Sequence, residues 1–138
     1  MHWRWYRAAR ILFALSNKID LAEAEYFTVQ TIYRGWALLG IVVVAALVVN
    51  LLLAFLLRDQ RLPALLALAA AICIGLTLVI FFIWTQPANA VTANWTQIPD
   101  HWRSLRANWE YSHAINAAIT FVALCASVLS ALLARPHI

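Results

Sequence analysis

Charge is what this sequence has least of. Only 12% of its 138 residues are charged and 64% are hydrophobic, whereas a soluble globular domain carries about 25% charged residues. A soluble chain of this length would have to bury most of its apolar side chains in one small core, which its volume cannot accommodate. The imbalance excludes a water-soluble domain and points to lipid. Cysteine is almost absent as well: Cys73 and Cys125 each fall inside an apolar run, which excludes a disulfide framework. Neither has a His or a second Cys at ligand spacing. Carboxylates are missing from the long apolar runs, so a coupled transporter has little to work with. A di-iron bundle needs several Glu residues and repeated Glu-x-x-His motifs, and residues 110–113 supply one such motif only. His101, Glu110 and His113 form no recognised metal-ligand spacing.

The basic residues that are present give a net charge of +4. They flank the apolar runs, as the positive-inside bias requires, and form no separate stripe with stacking aromatics. Nucleic acid is therefore not an expected partner.

Three apolar runs are long enough to cross a bilayer, for which about twenty residues suffice. They cover residues 35–57, 64–84 and 114–134. The first contains one strongly polar residue, Asn50, which lipid would leave unsatisfied and which is expected to bond to another helix. The tight connection 58–63 makes the first two runs an antiparallel hairpin, with Pro63 suited to a first helical turn. Small residues recur at four-residue spacing, as Ala67, Ala71 and Gly75 and as Ala123, Ser127 and Ala131, and predict packing faces.

The N-terminal segment, residues 2–17, is a shorter and weaker helix, because Arg7 and Arg10 interrupt it and Arg4 precedes them. It either lies in the interface or crosses. Asp20 and Glu23 are expected to cap a helix that runs on into the first span. The expected fold is thus all-α: one integral membrane helical domain over 1–138, a four-helix bundle made of three transmembrane helices and the short N-terminal one. Its helices are 2–17, 20–57, 64–84 and 100–134.

Tryptophan marks one end. Trp36 begins a span, Trp84 ends the next, and Trp95, Trp102 and Trp109 precede the last, so those five belong on one membrane face. An interfacial belt explains Trp36 and Trp84, but not the density between the second and third spans. Asp100 is a natural N-cap there. On the helix it opens, Trp102, Arg106, Trp109, His113, Asn116 and Thr120 share one face. Thr77 and Thr120 lie at a similar depth of about 10 Å and are candidates to line one cavity with that stripe.

His113 is the candidate for proton transfer, since an imidazole titrates near neutrality. Glu110 would orient or charge it, Arg106 would hold an anionic oxygen, and Asn89 would donate to the same group. Trp102, Trp109, Asn116, Thr120 and Thr77 would line the ligand. The plainer alternative makes Arg106 and Glu110 an exposed helical pair and His113 an interfacial polar residue. Residues 94–96 match the glycosylation sequon, a weak signal alone.

The stretch from Ile32-Tyr33-Arg34-Gly35-Trp36, through Pro87-Ala88-Asn89, to Trp102, Arg106, Trp109 and His113 resembles a family of small multi-pass membrane proteins, mostly of unknown function, that includes anthrone-oxygenase-like proteins. The resemblance covers residues 18–134. It implies four membrane helices, with Pro-x-Asn closing the third and a Trp-rich, Arg-bearing helix entering the fourth. It also implies oxidation of an aromatic substrate by oxygen without a cofactor, with His113 as base and Arg106 as oxyanion donor. Two departures stand out: the first helix is shortened and carries Arg, and Asn116 occupies a position where many relatives carry Arg.

Two functions follow. One is binding or oxidation of a flat, hydrophobic aromatic molecule entering from the bilayer. The other is a non-catalytic accessory or assembly subunit of a larger membrane complex; a homo-oligomer is a separate possible state of the chain. The expected location is the bacterial inner membrane. Orientation depends on whether 2–17 crosses: if it does not, Arg4, Arg7, Arg10, Lys18, Arg34, Arg103 and Arg106 share the Trp-rich face against Arg58, Arg61 and Arg135, and that face is cytoplasmic.

Overall fold

The computed structural model describes residue 15 and residues 17–135, with Ala37 by its backbone alone. The N-terminal helix expected at 2–17, with Trp3, Trp5 and the three N-terminal arginines, lies almost wholly outside the described residues. Within them the protein is all-α, and three helices are long and apolar enough to cross a membrane. It is an integral membrane protein.

Helix α1 is Glu23–Gln30. Its N-cap is Ala22, without a side-chain cap, so Asp20 and Glu23 do not form the expected pair. Nor does α1 run on into the first span. A 3-10 turn, Thr31–Tyr33, is followed by Arg34 in extended conformation and by Gly35 at φ +86°. That left-handed backbone is one only glycine adopts freely, and it re-aims the chain before a second 3-10 turn, Trp36–Leu38.

Helix α2, Leu39–Leu56, opens the first span. Helix α3, Arg61–Ile80, continues through a π-helical turn, Phe81–Thr85, into α4, Gln86–Val91. Helix α5 is Trp102–Leu133. It starts two residues after Asp100, where the backbone N–H of Trp102 donates to the Pro99 carbonyl at 3.0 Å.

The chain divides into two compact units, 1–37 with 79–117 and 38–78 with 118–138. In the second unit Ala70, Ile74 and Ala123 form a core, joined by Val43, Ala46, Leu47, Cys73 and Ala126. These residues come from α2, α3 and α5, and their small side chains allow close backbone approach. The Ser127 hydroxyl donates to Asn50 Oδ1 at 2.8 Å, and Asn50 Nδ2 donates to the Ala46 carbonyl at 2.9 Å. The amide thus has partners for both of its ends. Ala67, Ala71 and Ala123 are buried, but Gly75 is half-buried and Ala131 exposed. A four-residue step overshoots one helical turn by about 40°, so the third member of each small-residue stripe rotates off the face that its first two share.

Candidate functional site

The first unit gathers Trp36, Trp84, Trp95, Trp102 and Trp109. Its core is Tyr26, Phe27, Ala88, Trp95, Trp102 and Trp109, with Leu21, Tyr33 and Leu105 packed against it. Rings meet mostly edge to face: Tyr26 with Trp95 at 5.2 Å, Phe27 with Trp95 at 5.6 Å, Phe27 with Trp102 at 5.9 Å. That arrangement sets ring edges against electron-rich faces and is worth about 0.5–1.5 kcal/mol per pair beyond burial.

Loop geometry delivers one of these rings. Ala93, Asn94 and Trp95 all have left-handed backbone, at φ 47°, 57° and 66°, which costs about 1–2 kcal/mol for each non-glycine residue. The bend turns Trp95 inward, where it is 6% exposed, and its Nε1 donates to Asn89 Oδ1 at 3.1 Å. Thr92 fixes the turn, its hydroxyl donating to the Ala88 carbonyl at 2.7 Å and accepting the Trp95 N–H at 3.0 Å. Burying an indole and pairing its N–H offsets a cost of that size.

Inside this aromatic shell sits an ionic network. Lys18 Nζ lies 2.7 Å from Glu110 Oε1, with both side chains buried. Two stripped ions are costly unless their remaining bonds are made, and here they are. The Tyr26 hydroxyl donates to Glu110 Oε1 at 3.0 Å and accepts from Gln30 Nε2. Lys18 Nζ donates to the Tyr33 hydroxyl at 3.3 Å and stands 4.6 Å from the Tyr33 ring and 4.8 Å from the Trp109 ring. Burial first, and the Glu110 charge second, push the Tyr26 phenol well above its ordinary value. It is a hydrogen-bond donor held protonated.

Arg106 belongs to the same shell. Its Nη1 donates to the Leu21 carbonyl at 2.8 Å, and its guanidinium lies 4.7 Å from the Trp102 ring and 5.2 Å from the Tyr26 ring. It is neither half of an exposed pair with Glu110 nor pointed at His113. Glu110 is likewise taken by Lys18 and Tyr26. Asn89 acts as an acceptor, its Oδ1 receiving Trp109 Nε1 at 3.0 Å as well as Trp95 Nε1. Trp102 and Trp109 are each 3% exposed, so neither presents an open stacking wall. The His113 ring lies on Trp109, centroids 3.9 Å apart, and Asn116 is half-buried. Thr77 and Thr120 belong to the second unit, where the Thr77 hydroxyl donates to the Ile74 carbonyl at 2.7 Å and Thr120 is exposed.

Lys18, Tyr26, Gln30, Tyr33 and Trp95 complete the network and were not singled out from sequence as site residues. A signal existed: Tyr26, Gln30 and Tyr33 follow steps of four and three and share a face. Among the described residues no group of His, Cys, Asp and Glu is gathered in a way that would hold a metal ion.

One cleft opens in this unit, about 220 Å³ in volume and lined by Ile80, Trp84, Ala107, Asn108, Tyr111, Ser112 and Ile115. Ser112 spends its hydroxyl proton on the Trp109 carbonyl at 2.9 Å. Thr85, 2.7 Å away, is therefore the donor between the two hydroxyls. Comparison with family models, curated proteins and solved structures gives no match for this chain.

Proposed function

We propose that this chain is a non-catalytic accessory or assembly subunit of a larger membrane complex. One observation carries the reading: the charged groups with chemical potential, the half-buried Arg106 and the buried Glu110, are bound to Leu21, Lys18 and Tyr26 and line neither cleft. A buried network of this kind holds the residues around it in place, although Gln30 Oε1 and Arg106 Nε within it have no hydrogen-bond partner. Trp84 and Tyr111 remain exposed on the outside of that rigid unit, where amphipathic rings suit a protein interface. Purification in mild detergent should recover the protein with a partner in fixed stoichiometry, and Trp84→Ala with Tyr111→Ala should weaken that recovery while leaving helix content unchanged. Migration solely as a free chain or a homo-oligomer would sink the idea.

The cleft beside Trp84 and Tyr111 supports a second reading, binding or oxidation of a hydrophobic aromatic molecule, as the anthrone-oxygenase resemblance implies. It ranks second because its volume falls below the roughly 300–1,000 Å³ of ligand pockets that enclose their guests, and because the rings of Trp102 and Trp109 are closed off. Oxygen uptake by the purified protein with anthrone-like substrates tests it. No uptake removes the reading, and an unchanged rate in His113→Ala removes His113 from the mechanism.

A further inference from the structure

The second unit has its own cleft, about 350 Å³, lined by Asp59, Gln60, Arg61, Leu62, Pro63, Leu133 and Arg135. A clasp builds it. Gln60 Nε2 donates to the Arg135 carbonyl at 3.0 Å, and the Arg135 backbone N–H donates to Gln60 Oε1 at 2.8 Å. Three residues after Gln60, the Pro63 carbonyl accepts the Ser130 hydroxyl at 2.8 Å. These bonds fasten the end of α5 to the start of α3 and bring Arg61 and Arg135 to one cleft.

Its electrostatics are one-sided. Among the described residues Asp59 is the only carboxylate lining it, against two guanidinium groups. Among the described residues Lys18 and Glu110 make the only ion pair, so no carboxylate of the described residues holds either arginine, and both arginines are exposed. Arg58 is turned aside, its Nη1 donating to the Phe55 carbonyl at 3.3 Å and its guanidinium lying 4.8 Å from the Phe55 ring. Leu62, Pro63 and Leu133 supply an apolar wall. The cleft therefore sits at the ends of helices long and apolar enough to cross a membrane, the level at which lipid phosphates lie.

We propose that this cleft binds the phosphate headgroup of an anionic phospholipid, with Arg61 and Arg135 holding the phosphate oxygens and Leu62, Pro63 and Leu133 receiving the glycerol end of the chains. A guanidinium fork matches phosphate geometry. Basic clefts between membrane helices recruit anionic headgroups by the same means. A phosphate could also come from solution, and the test separates the two sources.

The full chain, purified in an uncharged detergent, is mixed with phosphatidylglycerol, phosphatidylcholine or inorganic phosphate, and retained lipid is counted by native mass spectrometry alongside the unfolding midpoint. Phosphatidylglycerol should be retained in preference to phosphatidylcholine and should raise the midpoint. Arg61→Gln and Arg135→Gln should each weaken retention about fivefold, whereas Arg58→Gln should leave it nearly unchanged. Equal retention of the two lipids overturns the proposal, as does a pair of single variants that retain phosphatidylglycerol like the parent. A midpoint shift from inorganic phosphate equal to that from phosphatidylglycerol overturns the lipid assignment. Should either variant fail to fold, the parent decides: retention insensitive to added salt counts against arginine–phosphate contact.

Discussion

The two compact units of this chain are held by different physics. The first is closed by long-range polar bonds inside an aromatic shell: Lys18 with Glu110, Tyr26 with Glu110, Arg106 with Leu21, and two indoles on Asn89. The second packs alanines and β-branched residues closely and uses polar groups sparingly, as Asn50 with Ser127 and Ser130 with Pro63. The contrast teaches where each unit is vulnerable. The first fails when a partner is removed, the second when volume is added.

The largest break should come from Glu110→Leu, which leaves the Lys18 ammonium buried without its carboxylate. Removing one partner of a buried pair costs about 3–5 kcal/mol, read as a lowered unfolding midpoint in detergent. Lys18→Met with Glu110→Leu should restore most of it, and a double variant as unstable as the single would show that the pair is not what the carboxylate contributes. Next, Ala123→Leu should cost about 1–3 kcal/mol by overpacking the core it shares with Ala70 and Ile74, while leaving near-ultraviolet tryptophan circular dichroism unchanged, because the aromatic shell lies in the other unit. A changed tryptophan signal would erase the distinction.

Tyr26→Phe should cost about 1 kcal/mol for the lost hydrogen bond and should also alter the alkaline limb. Burial and the Glu110 charge raise the phenol, so the folded chain keeps its proton to higher pH than the unfolded one. That contribution is complete below the ordinary value of 10.0 and declines as pH rises above it. Glu110, Arg106 and Lys18 all face this phenol. The informative quantity is therefore the difference between parent and variant: the parent should lose midpoint more steeply above pH 10. The smallest effect should be Asn50→Leu, about 0.6 kcal/mol, typical of polar contacts between membrane helices; a loss as large as that of Glu110→Leu would mean the second unit is polar-locked too.

Much of the fold was legible because hydropathy and length alone mark a span, and Asn50 announced itself by being polar inside one. The break at Gly35 was harder to read, since an apolar run through residues 35–57 masks a backbone change that only a positive φ demands. In the candidate site, the helical period put Trp102, Arg106 and Trp109 on one face. It could not say that the face was already covered, because the covering groups arrive from a distant segment. Tyr26 and Glu110 are 84 residues apart, and no periodicity within either segment encodes that meeting. The expectation that Arg106 and Glu110 serve chemistry treated them as neighbours of His113 on one helix, whereas their actual partners are Leu21, Lys18 and Tyr26.

That separation also constrains how the molecule is made. Lys18, Tyr26 and Arg106's acceptor at Leu21 leave the ribosome long before Glu110, which enters with α5. Through synthesis of α2 and α3 Lys18 lacks the carboxylate it pairs with in the folded chain, and it must stay hydrated or be shielded until α5 is inserted. A segment synthesised before the first span is thus locked only once α5 has arrived.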